Sequence, residues 1–269
     1  MTLPNDGSTP PLGTPESEVP TTREPSPDDR TWGALASLLL SGAVFLFYSL
    51  VQGFGIVAVL VVQPYGELNA FEPERLINQY FGQILWVGTL IALPVALVAL
   101  WLLTRLRRPG GVAQYLGLRG FRWWQGLLWL AATYALVTAI TYVATVFERP
   151  PIPDFIEQAM TTAGFMPGLV LAVGLAAPII EELLFRGFLY EGLAKSRLGE
   201  VGAIVLISAL FAVIHLQYDA FDMFSVFLLG LLFGIVRWQT GSTWLAILLH
   251  AAINLFALFQ SHRYLESIL

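Results

Sequence analysis

The chain has 269 residues, of which 56% are hydrophobic and only 12% are charged, with a formal net charge of −5. A soluble domain of this size needs far more polar residues to cover its surface, so the composition excludes a soluble globular protein. The chain has no cysteine, which excludes disulfides, a thiolate nucleophile and a cysteine-ligated metal. We predict an all-α, polytopic transmembrane helical bundle of about seven to eight spans in a lipid bilayer, with no nucleic-acid partner.

Residues 1–31 are predicted to be a disordered polar tail. They are rich in Pro, Ser, Thr and acidic residues and have no periodic apolar face. The tail also lacks the basic start of a secretory signal, so the hydrophobic run that follows it is expected to be retained as a membrane helix. Residues 32–269 are predicted to form a single transmembrane domain.

Seven apolar runs follow the tail, and each is predicted to form a membrane helix. The first run has about 30 residues and is longer than a hydrocarbon core of about 30 Å requires, so it must tilt, kink near Gly53 and Gly55, or leave the membrane. An eighth span would arise if this run were a broken pair. The runs cover residues 32–62, 82–103, 124–147, 167–190, 201–216, 224–236 and 243–259.

The distribution of arginines predicts the orientation in the membrane. The segment from Arg105 to Arg122 holds five arginines and no acidic residue, whereas loops 64–81 and 148–166 are acidic or balanced. Because basic residues mark cytoplasmic loops, we expect this segment, and with it the polar tail, on the cytoplasmic side. The bias of 13 Arg to one Lys and the compact membrane part favour a bacterial inner membrane.

The fourth apolar run contains three charged residues, Glu181, Glu182 and Arg186. Charged side chains are costly at membrane depth and usually functional. A helix that ended before the glutamates would be too short to span, so both are predicted to lie inside it. Glu182 precedes Arg186 by four residues and can pair with it, while Glu181 points about 100° away. Pro178 removes a backbone donor and is expected to kink the helix and expose a carbonyl.

Two later runs carry histidines with partners at helical spacing: Phe211 four residues before His215, and Asn254 four residues after His250. A carboxylate near imidazoles can activate water as a general base. A His and an Asn on one helical face can direct N–H donors at a developing oxyanion. Each residue alone is more often a packing hydrogen bond, but three helices with such residues favour a common site. The HExxH and GxSxG motifs of rival protease types are absent.

Together, the patterns EExxxR, FxxxH and HxxxN on successive helices resemble the CPBP family of intramembrane proteases, of the CAAX prenyl endopeptidase and bacteriocin-processing type. The resemblance covers about residues 167–257, the motif core of the predicted protease domain. It implies a hydrolase that cleaves a peptide bond in a membrane-associated protein or peptide. The implied catalytic residues are Glu181, Glu182, His215, His250 and Asn254, with Arg186 and Phe211 as structural support.

The resemblance also implies a division of roles. Glu181 acts with His215 to activate the attacking water, His250 and Asn254 stabilise the oxyanion, and Glu182 braces the helix through its arginine. Family members are named metalloproteases, yet a metal-free glutamate mechanism is also argued for them. Zinc bound by Glu181, His215 and His250 therefore stays open, and we expect no obligatory metal.

A second class of function stays open at this point. The same buried Glu, His and Arg set could form a proton relay or ion site in a carrier, or persist in a non-catalytic membrane scaffold. A carrier is expected to show repeated halves, and no internal repeat is visible. No feature of the sequence indicates that the substrate carries a prenyl group. We expect the site to open toward the cytoplasm, although His215, about 15 residues into a short helix, lies deeper than that expectation requires.

Overall fold

The computed structural model describes residues 31–62, 73–108 and 111–268, and within these ranges it contains helices and no strands. The predicted polar tail lies outside the described residues except for Thr31. The helices are numbered here in chain order. They are α1 Ala34–Val62, α2 Pro73–Gln79, α3 Phe81–Arg107, α4 Val112–Tyr115, α5 Trp123–Val146, α6 Asp154–Thr161, α7 Met166–Ala194, α8 Gly199–Val213, α9 Ala220–Thr240 and α10 Thr243–Ile268.

Six of these helices, α1, α3, α5, α7, α9 and α10, are long and apolar enough to cross a membrane. The fifth predicted run instead forms α8, whose 15 residues rise only about 22 Å, short of a core of about 30 Å. The first run is one unbroken helix of 29 residues, so the eighth span does not arise from it. Over the described part of the chain the all-helical membrane architecture is confirmed, and the count of seven to eight spans is not.

Helix α7 lies at the centre of the bundle. In its most apolar stretch 61% of the residues are buried, against at most 39% in any other candidate span. Its side chains Leu184, Phe188 and Leu189 belong to a core that α1, α3 and α8 also supply. The outer helices instead expose large apolar side chains such as Leu39 and Leu127, as contact with lipid requires.

The backbone of α7 is not α-helical throughout. π-helical segments accommodate an extra residue in a turn, and they are rare outside functional sites. Two of them flank the acidic pair in α7, and they therefore set the directions in which its side chains point. The pieces are α-helical Met166–Leu171, π-helical Ala172–Ala176, α-helical Ala177–Glu182, π-helical Leu183–Leu189 and α-helical Tyr190–Ala194.

The arginine-rich segments gather at one end of the bundle, which we call the basic face. It comprises residues 105–108, 111–122, 195–199 and 237–243. The backbone N–H of Thr243 donates to the carbonyl of Gly117 at 2.8 Å, which joins the start of α10 to the segment after α4. These basic segments, which are separate in the sequence, therefore share one face of the structure.

The other end of the bundle, the opposite face, comprises residues 147–166 and the loop 214–219. An ion pair between Arg149 and Asp219 joins these two segments. Asp219 is also the N-cap of α9, where its carboxylate accepts from the backbone N–H of Asp222. That hydrogen bond and the Arg149 guanidinium hold the pKa of Asp219 below its usual range. Stability from this pair is therefore present above the ordinary Asp pKa and is lost as pH falls through the lowered value.

Glycines allow α1 and α3 to approach closely. A Cβ added at Gly55 would lie 2.7 Å from the backbone of Gly88, whereas a Cβ at Gly53, two residues earlier in the same helix, would meet nothing within 4 Å. Small residues commonly serve this purpose between membrane helices. The α1–α3 contact therefore depends on Gly55 and not on Gly53.

We predict that Gly55→Ala lowers the free energy of unfolding by about 1–3 kcal/mol, because the added methyl group forces the two backbones apart. Gly53→Ala is the matched control and should leave stability unchanged or slightly raised, since alanine favours helix. Thermal unfolding of the purified protein in detergent measures both. Equal losses in the two variants would contradict the close contact.

Candidate active site

Glu182 is fully buried at the end of the central α-helical piece of α7. Its Oε1 accepts from Nη1 of Arg186 at 3.0 Å and lies 2.9 Å from Nδ1 of His250. The equally buried Arg186 donates through Nη2 to the carbonyl of Gly230 at 2.9 Å. The i, i+4 pair predicted from the sequence is therefore present, and it ties α7 to α9 and α10.

Two aromatic rings cover the buried guanidinium. Cζ of Arg186 lies 4.6 Å from the ring centroid of Phe211 and 5.6 Å from that of Phe233. Such cation–π contacts stabilise a desolvated cation. Phe233 also stacks on His250, with ring centroids 5.3 Å apart. Sequence reasoning did not find Phe233, because nothing in the local pattern distinguishes it from other aromatic residues of the spans.

Glu181 points away from the buried pair and lines a cavity of about 400 Å³. Its side chain is 23% exposed, whereas that of Glu182 is not exposed at all. Oε2 of Glu181 lies 3.9 Å from Nε2 of His250. His215 and Asn254 line the same cavity. The structure therefore brings four of the predicted catalytic residues around one space and places Glu182 behind it.

His215 is held in one tautomer by the chain itself. It lies in the loop after α8, and its Nδ1 is 2.7 Å from the carbonyl oxygen of Phe211. A carbonyl can only accept, so Nδ1 carries the hydrogen and Nε2 is left with a lone pair. His215 follows a short helix and does not lie inside a spanning one. The membrane depth that the sequence analysis assigned to His215 therefore does not restrict where the site opens.

His250 is oriented by a carboxylate. Its Nδ1 donates to Oε1 of Glu182, while Nε2 faces Glu181. Nε2 can therefore donate only when the ring carries both hydrogens, as imidazolium. Glu182 thus positions His250 in addition to pairing with the arginine.

Asn254 lines the same cavity as His250, and one of its two amide hydrogens is engaged with the backbone. Its Nδ2 donates to the carbonyl of Val173 at 2.9 Å. The N–H of Ala177 bonds the carbonyl of Ala172, five residues back, so in this register the next N–H would serve Val173. Residue 178 is proline and has no N–H. The exposed carbonyl that the proline predicted is therefore satisfied by Asn254.

Tyr218, in the loop between α8 and α9, also lines the cavity. Its ring lies parallel to that of His215, with centroids 5.9 Å apart. Burial, with additional contributions from the carboxylates of Glu181 and Asp222, raises the pKa of the Tyr218 hydroxyl. The phenol therefore stays neutral and able to donate at any physiological pH.

A second cavity, of about 1340 Å³, lies at the opposite face beside the first. The two share Phe155, Gln217 and Tyr218 in their linings, and no residue of the basic face lines either one. The larger cavity therefore adjoins the site on the face that lacks the arginine-rich segments. Access through that cavity would place the opening and the arginine-rich segment on opposite sides of the membrane, whereas the sequence analysis expects both on the cytoplasmic side.

The candidate zinc ligands do not assemble into a metal site in this arrangement. Among the residues that the structure describes, no group of three or more His, Asp or Glu side chains is placed to hold a metal ion. Glu181 and His250 approach each other, but Nδ1 of His250 is already engaged by Glu182, and His215 does not complete the set. The description as a metalloprotease is therefore not supported by the donor geometry.

A comparison with known protein families identifies part of the chain. Residues 163–256 match a family described as Rce1-like, type II CAAX prenyl endopeptidase Rce1-like. The matched segment contains all three motifs and extends from just before α7 into α10. Among curated proteins and among solved structures, no match to the chain was found. The match favours a protease over the carrier and scaffold alternatives.

We predict that Asn254→Ala destabilises the protein by about 1–3 kcal/mol, because it leaves the part-buried carbonyl of Val173 without a donor. Pro178→Ala restores a backbone N–H close to that carbonyl. In the Pro178→Ala background the loss caused by Asn254→Ala should therefore shrink. Chemical unfolding of the four proteins in detergent gives this double-mutant cycle. Equal losses in both backgrounds would show that Asn254 does not compensate for the proline.

Proposed function

Because residues 163–256 belong to the Rce1-like family of CAAX proteases, we propose that this membrane protein is an intramembrane endopeptidase that hydrolyses a peptide bond of a membrane-associated protein. The observation that carries the proposal is the shared cavity of Glu181, His215, His250 and Asn254. A carboxylate, two imidazoles and an amide supply the acceptors and donors that amide hydrolysis needs.

In the proposed reaction, a water between Glu181 and Nε2 of His215 attacks the carbonyl carbon of the scissile bond. Both groups are hydrogen-bond acceptors in the neutral-histidine state, so they orient the lone pair of the water toward the substrate. Glu181 takes a proton as the new C–O bond forms. That proton passes to the amide nitrogen as the C–N bond breaks, which releases an amine and a carboxylic acid.

The negative oxygen that develops during attack needs a donor. When both ring nitrogens of His250 carry hydrogen, Nε2–H is that donor, and Glu182 holds the hydrogen on Nδ1. This fixed donor stabilises the oxyanion without reorganisation. Asn254 keeps one amide hydrogen beyond the one given to Val173, and the neutral Tyr218 hydroxyl is a further donor on the cavity wall.

We propose that the substrate approaches through the larger cavity at the opposite face. An extended peptide there would pass Phe155, Gln217 and Tyr218 before it reaches Glu181. We also propose that no obligatory metal takes part, since the carboxylate and the imidazoles alone supply the base and the donors.

The proposed activity is tested by identifying new protein N-termini in membranes. Cells that express the wild type or Glu181→Gln at matched levels are compared by N-terminal peptide mass spectrometry of the membrane fraction. We expect a set of N-termini within or next to membrane segments that appears only with the wild type. Identical sets at equal expression would contradict a protease and favour a scaffold.

The two glutamates should respond differently to the same substitution. Glu181→Gln removes the base but keeps the shape, so it should abolish cleavage with little change in stability. Glu182→Gln breaks a fully buried pair and should lower the free energy of unfolding by about 3–5 kcal/mol. Cleavage of a substrate identified as above and thermal unfolding measure the two effects. Full cleavage by folded Glu181→Gln would assign the base elsewhere.

Metal removal provides a separate test of mechanism. We predict that cleavage by the purified protein survives exhaustive chelation, because Glu181 and His215 act on the water directly. A zinc enzyme would lose activity and regain it with about one equivalent of Zn²⁺, since the bound ion lowers the pKa of its water to about 7. Loss and recovery of that kind would contradict the metal-free mechanism.

A further inference from the structure

At the basic face, the ends of α3, α7 and α9 surround a small polar cavity of about 270 Å³ that shares no lining residue with the catalytic cavity. Four basic side chains line it, against only two acidic ones. Trp238, 46% exposed, lies at its rim. Tryptophan is typical of the membrane–water boundary, where lipid phosphates are found.

Both acidic residues of this cavity are already engaged. Glu191 pairs with Lys195 at 2.6 Å and with Arg237 at 3.7 Å. Glu200 accepts a hydrogen bond from the hydroxyl of Tyr190. Lys195 and Arg237 therefore share the single carboxylate of Glu191. The other two, Arg108 and Arg119, have no acidic partner among the described residues.

Arg108 gives the stronger indication of a bound anion, because it is buried and has no partner among the described residues. Only 4% of the residue is exposed, and its Nε has no hydrogen-bond partner. Its side chain makes no hydrogen bond or ion pair with any described residue, not even with the free carbonyls at the end of α3 that an arginine there commonly caps. A buried guanidinium without a partner is costly, and such groups are normally paired with an anion.

We propose that this cavity is a binding site for a phosphate-bearing anion, held by Arg108 with Arg119. The planar guanidinium matches phosphate oxygens in a bidentate geometry, and a neutralised Arg108 no longer carries an uncompensated buried charge. The phosphate could belong to an anionic lipid headgroup or be free in solution. Basic pockets between the ends of membrane helices are suited to such headgroups. The bound anion would also hold the C-terminal end of α7, the helix that carries the acidic pair.

The experiment uses the full chain, delipidated in a neutral detergent, and follows thermal unfolding by tryptophan fluorescence. Phosphatidylglycerol, phosphatidylcholine and inorganic phosphate are added separately, the last against chloride at equal ionic strength. A ligand that binds only the folded protein raises the unfolding midpoint. We expect phosphatidylglycerol to raise it by several degrees more than phosphatidylcholine. A matching rise with inorganic phosphate identifies the free ion as a ligand, and no rise with it identifies the lipid headgroup.

Substitutions in and near the cavity test whether the ligand that raises the unfolding midpoint binds there. Arg108→Gln should weaken binding at least about tenfold through loss of a charge-assisted hydrogen bond, whereas the exposed Arg105→Gln, in the same helix end, should not. Gln114→Glu places a repelling carboxylate on the cavity wall and should also weaken binding, even if Arg108→Gln does not fold. The proposal is overturned if neither phosphate source shifts the wild type, or if the shift persists unchanged in Gln114→Glu and in any folded Arg108→Gln.

Discussion

The buried ion pair of Glu182 and Arg186 is the constraint on which the other features of the site depend. Both side chains are excluded from solvent in an apolar bundle, where a charged group must be paired and hydrogen-bonded to be tolerated. The neutralising groups come from three other helices: the carbonyl of Gly230, the ring of Phe211 and the imidazole of His250. Satisfying the pair therefore brings together α8, α9 and α10, which carry or position the other polar residues.

The same constraint separates the roles of the two adjacent glutamates. One carboxylate is used entirely within the protein, and its neighbour, turned by about one residue step of the helix, lines the cavity and faces His250 Nε2. Environments that differ this much allow chemically identical groups to act differently, as in many hydrolases with two carboxylates. Glu182 also engages Nδ1 of His250 and so leaves Nε2 to face the cavity. The buried pair therefore determines which nitrogen of His250 is available as a donor and which carboxylate, that of Glu181, is available as an acceptor.

Local patterns in the sequence predicted the features that depend on local geometry. Hydropathy located six spanning helices, and the four-residue spacing predicted the Glu182–Arg186 pair. The seventh predicted span is not confirmed, because α8 ends before a turn at His215 that hydropathy does not report. The orientation of Asn254 could not be predicted, since it follows from a π-helical register in another helix. Tyr218 could not be identified either, because it stacks on His215 and lines the cavity only in the folded bundle.

The separation of roles is tested most directly by the coupling of each glutamate to His250. Unfolding free energies of Glu181→Gln, Glu182→Gln and His250→Phe, alone and combined, give the two coupling energies from double-mutant cycles in detergent. We expect about 1.5–3 kcal/mol between Glu182 and His250, the range for a hydrogen bond to a charged group, and less than about 0.5 kcal/mol between Glu181 and His250. The reverse order would contradict the assignment of Glu182 to structure and of Glu181 to the reacting water.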